Sequence, residues 1–235
     1  MDIARAFTYT FDDEDWVGKV VMIVVWTFIA AIPLIGLIGA AALAGYVVEL
    51  VRNMQRGETN PLPRWDNVGD KIMSGANVLI AAFVYNLGNM LLICSFVLLM
   101  PILGGGGDVS ATSTVSLAIG CCLSIFLFIY NLIIWPLLAV GTVFYARSNE
   151  ISAFFQMGRI YGTINRHMGL TVQWMLFVLL AGFVLGLFNA VPCIGWIASL
   201  ALTMPIHGHL LGQFGARIDD KPKSKPKPQP RRVGS

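Results

Sequence analysis

Apolar residues run almost unbroken from position 17 to position 51. As one helix those 35 residues would measure about 52 Å, against a hydrocarbon core of about 30 Å. Pro33 and Gly36 interrupt the run: proline removes a helical donor, and glycine is free to take the positive φ of a tight turn. The pattern predicts a helical hairpin with arms at 17–31 and 37–51, both ends emerging on one side. Arms this short fit either a full crossing or a re-entrant pair.

Further along, 72–103 and 115–145 read as two spans joined by a flexible loop, Gly104 to Gly107 and then Asp108-Val-Ser-Ala-Thr-Ser. Pro136 predicts a kink in the second of them. The stretch 149–166 is more polar. Ile151, Phe154, Phe155 and Tyr161 recur near the spacing of one helix face, with Asn149 in the N-cap position, which predicts an amphipathic helix lying in the interface. Segments at 170–189 and 196–214 follow, separated by a turn at 191–195, with a bend expected at Pro205. The two hairpin turns, 31–38 and 190–197, share A-[IV]-P-x-I-G-x-I at an offset of 159 residues. Internal duplication and convergence on a good intramembrane turn both account for that.

Composition fixes the class. The chain has 235 residues, is 56% hydrophobic and 12% charged, and has a mean hydropathy of +0.71. Soluble chains run at roughly 45–50% apolar and about 25% charged. A soluble enzyme, a disordered chain and a disulfide scaffold (four Cys are too few) are excluded. The expected fold is an all-α polytopic helical membrane protein. Its parts are an acidic N-terminus at 1–16, one membrane domain at 17–215 with about six segments and two Pro/Gly-turn hairpins, and a disordered basic tail at 216–235. The first sixteen residues lack the basic, then apolar, layout of a secretory signal peptide.

Charge adds a direction. With a cytoplasmic N-terminus and six segments, all 16 Lys and Arg fall on the cytoplasmic side, and the external turns carry only Asp108. That bias predicts both termini inside. In the tail, Lys221, Lys223, Lys225, Lys227, Arg231 and Arg232 alternate with proline. They suit attraction to anionic lipid of the bilayer, at about 1 kcal/mol each near the surface, more than nucleic acid, for which stacking aromatics are missing.

Candidate chemistry is sparse. Asp12, Asp13, Glu14 and Asp15 precede the first segment, where carboxylates cap a helix and complement its dipole, and Trp16 follows at headgroup level. Pro61 and Pro63 stiffen a short loop, Trp65 is placed to anchor beside Trp16, and the carboxylates including Asp66 are expected to face Arg52, Arg56 and Arg64. Together they predict a folded cytoplasmic rim. Glu49 is placed to snorkel or to pair with Arg52. No charge sits mid-span, which disfavours an ion-coupled pump and an acid–base enzyme within the bilayer. Asn86 and Asn89 share a face of the third segment and Asn131 lies in the fourth, so an amide cluster joining the two is expected, as helix glue or as a substrate site. Gly36, Ala40 and Ala44, flanked by Ala41 and Gly45, form a small-residue face for an internal contact or self-association. His207 and His209 diverge on a helix and read as interfacial polar residues. Cys94, Cys121, Cys122 and Cys193 form no C-x-x-C and read as packing residues. Neither a catalytic, a cofactor nor a metal constellation is expected.

The residues Phe11-Asp-Asp-Glu-Asp-Trp16, the Pro33–Gly36 turn, Arg52-Asn-Met-Gln-Arg-Gly57 and Pro61-Leu-Pro-Arg-Trp-Asp66 carry a resemblance. It is specific over about 7–75 and looser through Tyr145-Ala-Arg-Ser to Asn165. The chain resembles an uncharacterised prokaryotic family of multi-pass membrane proteins, a domain of unknown function (number four thousand and thirteen). The resemblance implies a prokaryotic cytoplasmic membrane and brings no activity, cofactor or catalytic residue. The expected role is a non-enzymatic structural or accessory subunit, with a membrane-protein partner or self-association. The alternative is a permease or carrier for a small neutral solute or lipid.

Overall fold

The computed structural model describes residues 1–104, 109–191 and 194–218, and all regular structure among them is helical. A short helix α1 (Ile3–Thr8) and one 3-10 turn lead into α2 (Trp16–Ala30) and α3 (Gly36–Arg56). Next come α4 (Val68–Gly104) and α5 (Val109–Ser148), a second 3-10 turn (Ile151–Phe155), and α6 (Met157–Arg166), α7 (Met168–Phe188) and α8 (Ile194–Ile218). Among the described residues, four stretches are long and apolar enough to cross a membrane: Gly36–Arg56, Val68–Leu99, Ala118–Ser148 and Met168–Phe188. At 15 residues α2 is apolar but shorter.

The α2–α3 turn differs from expectation in one detail. The positive φ falls on Leu34, at 69°, and not on Gly36. Gly36 is needed for another reason: a Cβ there would overlap the Ala30 carbonyl, so only glycine lets the arms meet so soon after the turn. Ala31, Ile32 and Gly36 donate their N–H groups to the carbonyls of Phe28, Ile29 and Ile32 at 3.1, 3.0 and 2.7 Å. The second turn repeats this 159 residues on. Ala190, Val191 and Gly195 donate to Leu187, Phe188 and Val191 at 3.1, 3.0 and 3.1 Å, and a Cβ on Gly195 would strike the Phe188 carbonyl. Residues 192 and 193 of that motif lie outside the described residues.

The centre of the bundle is α3, and its small residues explain why. A Cβ on Gly45 would collide with the Lys71 carbonyl of α4, and one on Gly75 with the Ala41 carbonyl, so the two backbones touch where they cross. The small-residue face therefore makes an internal contact. On another side Gly208 faces Leu50 and Gly212 faces Met54, so α8 runs parallel to α3. Tyr46, Val48, Leu50 and Val51 are buried by these neighbours, and a larger cluster joins Val140, Val143 and Phe144 of α5 to Trp174, Leu210 and Phe214.

Other boundaries move. Helix α5 begins at Val109, earlier than 115, so the Val-Ser-Ala-Thr-Ser stretch continues the helix; residues 105–108 lie outside the described set. It runs unbroken through Pro136, as α8 does through Pro205. The single interfacial helix expected at 149–166 is two pieces. Asn149 caps nothing: it takes a left-handed φ of 57° and closes α5, its N–H donating to the Tyr145 carbonyl at 2.8 Å. Phe154 then plugs back against Gly141, where a side chain would not fit, and its carbonyl accepts the Tyr85 hydroxyl at 2.6 Å. Only α6 remains amphipathic, and it buries Ile160 and Ile164 while Tyr161 is exposed. The basic tail beyond 218, with Lys221, Lys223, Lys225, Lys227, Arg231 and Arg232, lies outside the described residues.

Candidate functional site

The start of α2, the end of α3, the 57–67 loop, the start of α4 and the ends of α5 and α8 converge at one end of the bundle. Asp13 and Lys19 bind them first. The Lys19 Nζ lies 2.5 Å from Asp13 Oδ2 and donates to the Leu62 carbonyl at 3.2 Å, with both side chains about nine-tenths buried. One turn of backbone away, the Trp65 indole N–H donates to the Lys19 carbonyl at 2.9 Å. Trp65 is sandwiched between Tyr46, at 5.0 Å, and Trp26, at 6.1 Å between ring centroids. Half-buried, it clamps α2 to α3, and it packs on the same apolar cluster as Trp16, which meets Phe11 edge-on at 4.9 Å.

The expected pairing of acids with Arg52, Arg56 and Arg64 is not what forms. Asp12 pairs with Arg5 at 2.7 Å, Asp13 with Lys19, and Glu49 with Lys71, at 2.7 Å, rather than with Arg52. Lys71 also donates to the Asp66 carbonyl at 3.0 Å. Arg52 turns away to the end of α5, donating to the Ala146 carbonyl at 2.8 Å and the Asn149 Oδ1 at 3.1 Å. Arg56 and Arg64 are exposed, with no ion pair among the described residues. Nor do the carboxylates cap α2 by side chain: Asp13 Oδ1 accepts the Asp15 N–H at 2.9 Å, and the Asp13 carbonyl accepts the Trp16 N–H. The Pro61 carbonyl accepts the Asn53 amide at 3.1 Å, and Pro63 is buried. The physical reason is reach. Asp13 lies six residues before Lys19, which a turn folds back onto it, whereas the arginines point outward or across to α5.

This framework encloses a polar cavity of about 570 Å³. Asp13, Asp15, Glu49, Glu58, Pro63 and Asp66 are among its lining residues, with Lys19 and Arg64 as counter-charges. Sequence reasoning missed Lys19, Lys71 and Leu62 as its organising residues. The signal for Lys19 was present: a lone lysine at the fourth position of a mostly apolar helix needs a partner. The N-terminus straps across α8. Asp2 and Gln213 exchange two hydrogen bonds of 2.7 and 2.8 Å, and Tyr9 stacks on His209 at 4.1 Å and donates to the Pro205 carbonyl at 2.9 Å. Burial pushes the Tyr9 phenol well above its ordinary pKa, which keeps it protonated as that donor. His209 is therefore buried within the protein, and His207 is half-buried.

The second predicted group comes together as well. The Asn89 amide donates to Asn86 Oδ1 at 2.8 Å and to Asn131 Oδ1 at 3.1 Å, joining α4 to α5. Asn86 and Asn131 also donate back to their own helices, at Ala82 and Leu127. Both line a cavity of about 410 Å³ with Phe128, Trp135 and Leu179. Cys94, Cys121 and Cys122 are free and exposed on the apolar surfaces of α4 and α5. No group of three or more His, Cys, Asp or Glu among the described residues is arranged to hold a metal ion.

An all-α bundle with four apolar helices of crossing length, tied at one polar end, defines a class: helical proteins built for a membrane. Within that class the chain belongs to the family described as Protein of unknown function (DUF4013), which matches residues 21–194, about three quarters of its length. The Arg52–Gly57 and Pro61–Asp66 motifs fall inside the matched interval, and Phe11–Trp16 precedes it. Neither a curated protein nor a solved structure matches the chain.

Proposed function

We propose that this protein is a multi-pass, non-enzymatic structural or accessory subunit of a complex in a prokaryotic cytoplasmic membrane. It would have six membrane segments and both termini in the cytoplasm. One observation carries the reading: the polar end is a rigid, self-braced frame. Its buried and half-buried cations hold elements together, as Lys19 holds Asp13 and Leu62, Lys71 holds Glu49 and Asp66, and Arg52 holds Ala146. A frame of this kind, open on a polar cavity and rich in charge, suits docking of a partner more than turnover of a substrate. The gathering of Arg5, Lys19, Arg52, Lys71 and Arg147 at that end supports a cytoplasmic placement of it. The basic tail adds attraction to anionic lipid.

The test is extraction of the tagged protein in polymer nanodiscs, followed by mass spectrometry of proteins and lipids. A reproducible stoichiometric protein partner supports the accessory role. A lone protein carrying one enriched small molecule sinks it and favours the second reading, a carrier for a neutral solute or lipid. That reading draws on the Asn86–Asn89–Asn131 cluster beside its cavity.

A further inference from the structure

A furrow of about 510 Å³ runs between α5, α6 and α7, a volume typical of small-ligand sites. Its walls are apolar: Leu132, Pro136 and Leu137 on one side, Met168, Val172 and Leu179 on the other. The Thr171 hydroxyl in it is already committed to the His167 carbonyl at 3.2 Å. Along α7 the furrow extends from Met168 to Leu179, roughly 16 Å at 1.5 Å per residue, which is about half of the ~30 Å hydrocarbon core. It is thus one leaflet deep. Leu132 and Leu179 also line the cavity of the amide cluster, so the two spaces adjoin.

At the other end stands α6. Tyr161 lines the furrow, is 67% exposed, and its hydroxyl has no hydrogen-bond partner among the described residues. Arg166 ends α6, two residues after the furrow residue Ile164 and outside the furrow's own lining; it is exposed and has no ion pair among the described residues. Arg159 on the same helix is engaged locally, its guanidinium 4.4 Å from the centre of the Phe144 ring and donating to Gln156 Oε1 at 3.2 Å, and neither α6 nor α7 contains an acidic residue. An apolar slot one leaflet long, ending at a tyrosine hydroxyl beside a helix that carries the unpaired cation of Arg166 and no acid, matches a molecule with a hydrocarbon chain and a negative head.

We infer that this furrow binds one anionic phospholipid of the cytoplasmic leaflet, an acyl chain lying between α5 and α7 and the phosphate beside Arg166 and Tyr161. The inference rests on the reading of α5 and α7 as membrane spans. It is independent of the tail.

Native mass spectrometry of the full chain in detergent, titrated with phosphatidylglycerol or phosphatidylcholine, tests it. The wild type should retain a single phosphatidylglycerol in preference to phosphatidylcholine. Val172→Trp, at an exposed wall position, should fill the furrow and abolish retention of that lipid without lowering the unfolding temperature. Arg166→Gln should lose about fivefold in the preference while still binding lipid. The tail cations are common to all three proteins, so they cannot produce these differences. Retention by Val172→Trp equal to wild type overturns the site, and an unchanged preference in Arg166→Gln overturns the head-group assignment. A wild type that fractionates with membranes but retains no lipid overturns this inference alone, whereas a chain found in the soluble fraction removes the membrane reading beneath it.

Discussion

Lys19 shows what a single residue does here. Its ammonium is desolvated against Asp13, and removing one partner of such a pair leaves the other charge uncompensated, at a cost of roughly 3–5 kcal/mol. Lys19→Met and Asp13→Leu should each destabilise by about that much in a detergent unfolding titration, and the double change should cost far less than the sum. Strict additivity would remove the pair from the account. Charge reversal at Asp13 should not be rescued by reversal at Arg56, because Arg56 is exposed and makes no ion pair among the described residues. Trp65→Phe keeps the stacking between Tyr46 and Trp26 but loses the N–H donated to Lys19, so a loss of about 1 kcal/mol is expected. An unchanged stability would show that this bond is not needed. The sequence marked Asp13 and Trp65 as members of a rim. It could not name their partners, because ion pairing depends on which side chains the turn at 13–15 and the 57–67 loop bring within a few ångströms.

Among elements, the crossing of α3 and α4 is the contact with least room. Gly45 and Gly75 each meet backbone of the other helix, so alanine at either should force the helices apart and cost about 1–3 kcal/mol. Gly18→Ala, where a Cβ meets nothing within 4 Å, should be neutral or slightly stabilising in the same assay. Equal effects at Gly45 and Gly18 would contradict the close crossing. The first hairpin poses a different question. Its shorter arm, α2, has 15 residues, about 22 Å, and on α3 the apolar stretch ends at Glu49. The α2 arm falls short of a bilayer core of about 30 Å, whereas α3, with 21 residues, is long and apolar enough to cross one. A single cysteine placed at Leu34, 94% exposed at the tip, should therefore sit in lipid and stay unlabelled by a membrane-impermeant thiol reagent from either side. Labelling from outside would make the hairpin a full crossing.

For the whole molecule, exposed Leu, Ile, Val and Phe cover α2, α4, α5 and α7, a surface that water would not tolerate and lipid accepts. The chain should remain with membranes through alkaline carbonate washing; release into the supernatant would contradict a membrane-embedded bundle. Because α3 and α8 run parallel, the two similar turns lie toward the same end of the bundle, 159 residues apart in sequence and alike in hydrogen bonding. The molecule thus carries two hairpins of one local design around a shared interface.

Composition and hydrophobic period determined by themselves that this chain is helical and made for lipid, and they marked the helices at 16–30, 36–56, 68–104, 109–148, 168–188 and 194–218 to within a few residues at most ends. Those properties are local: an apolar run, a proline or a glycine acts on its own neighbourhood. The amide cluster was also legible, since Asn86 and Asn89 share a face through helical spacing alone and the short connection returns α5 beside them. Only the tertiary structure decided that Phe154 folds back onto Gly141, that Lys19 answers Asp13, that Trp65 is a clamp and that His209 lies under Tyr9. Each of these depends on how helices distant in sequence cross and at what height they meet. Backbone contacts such as Gly45 on Lys71 set that height, and no periodicity along the chain encodes it.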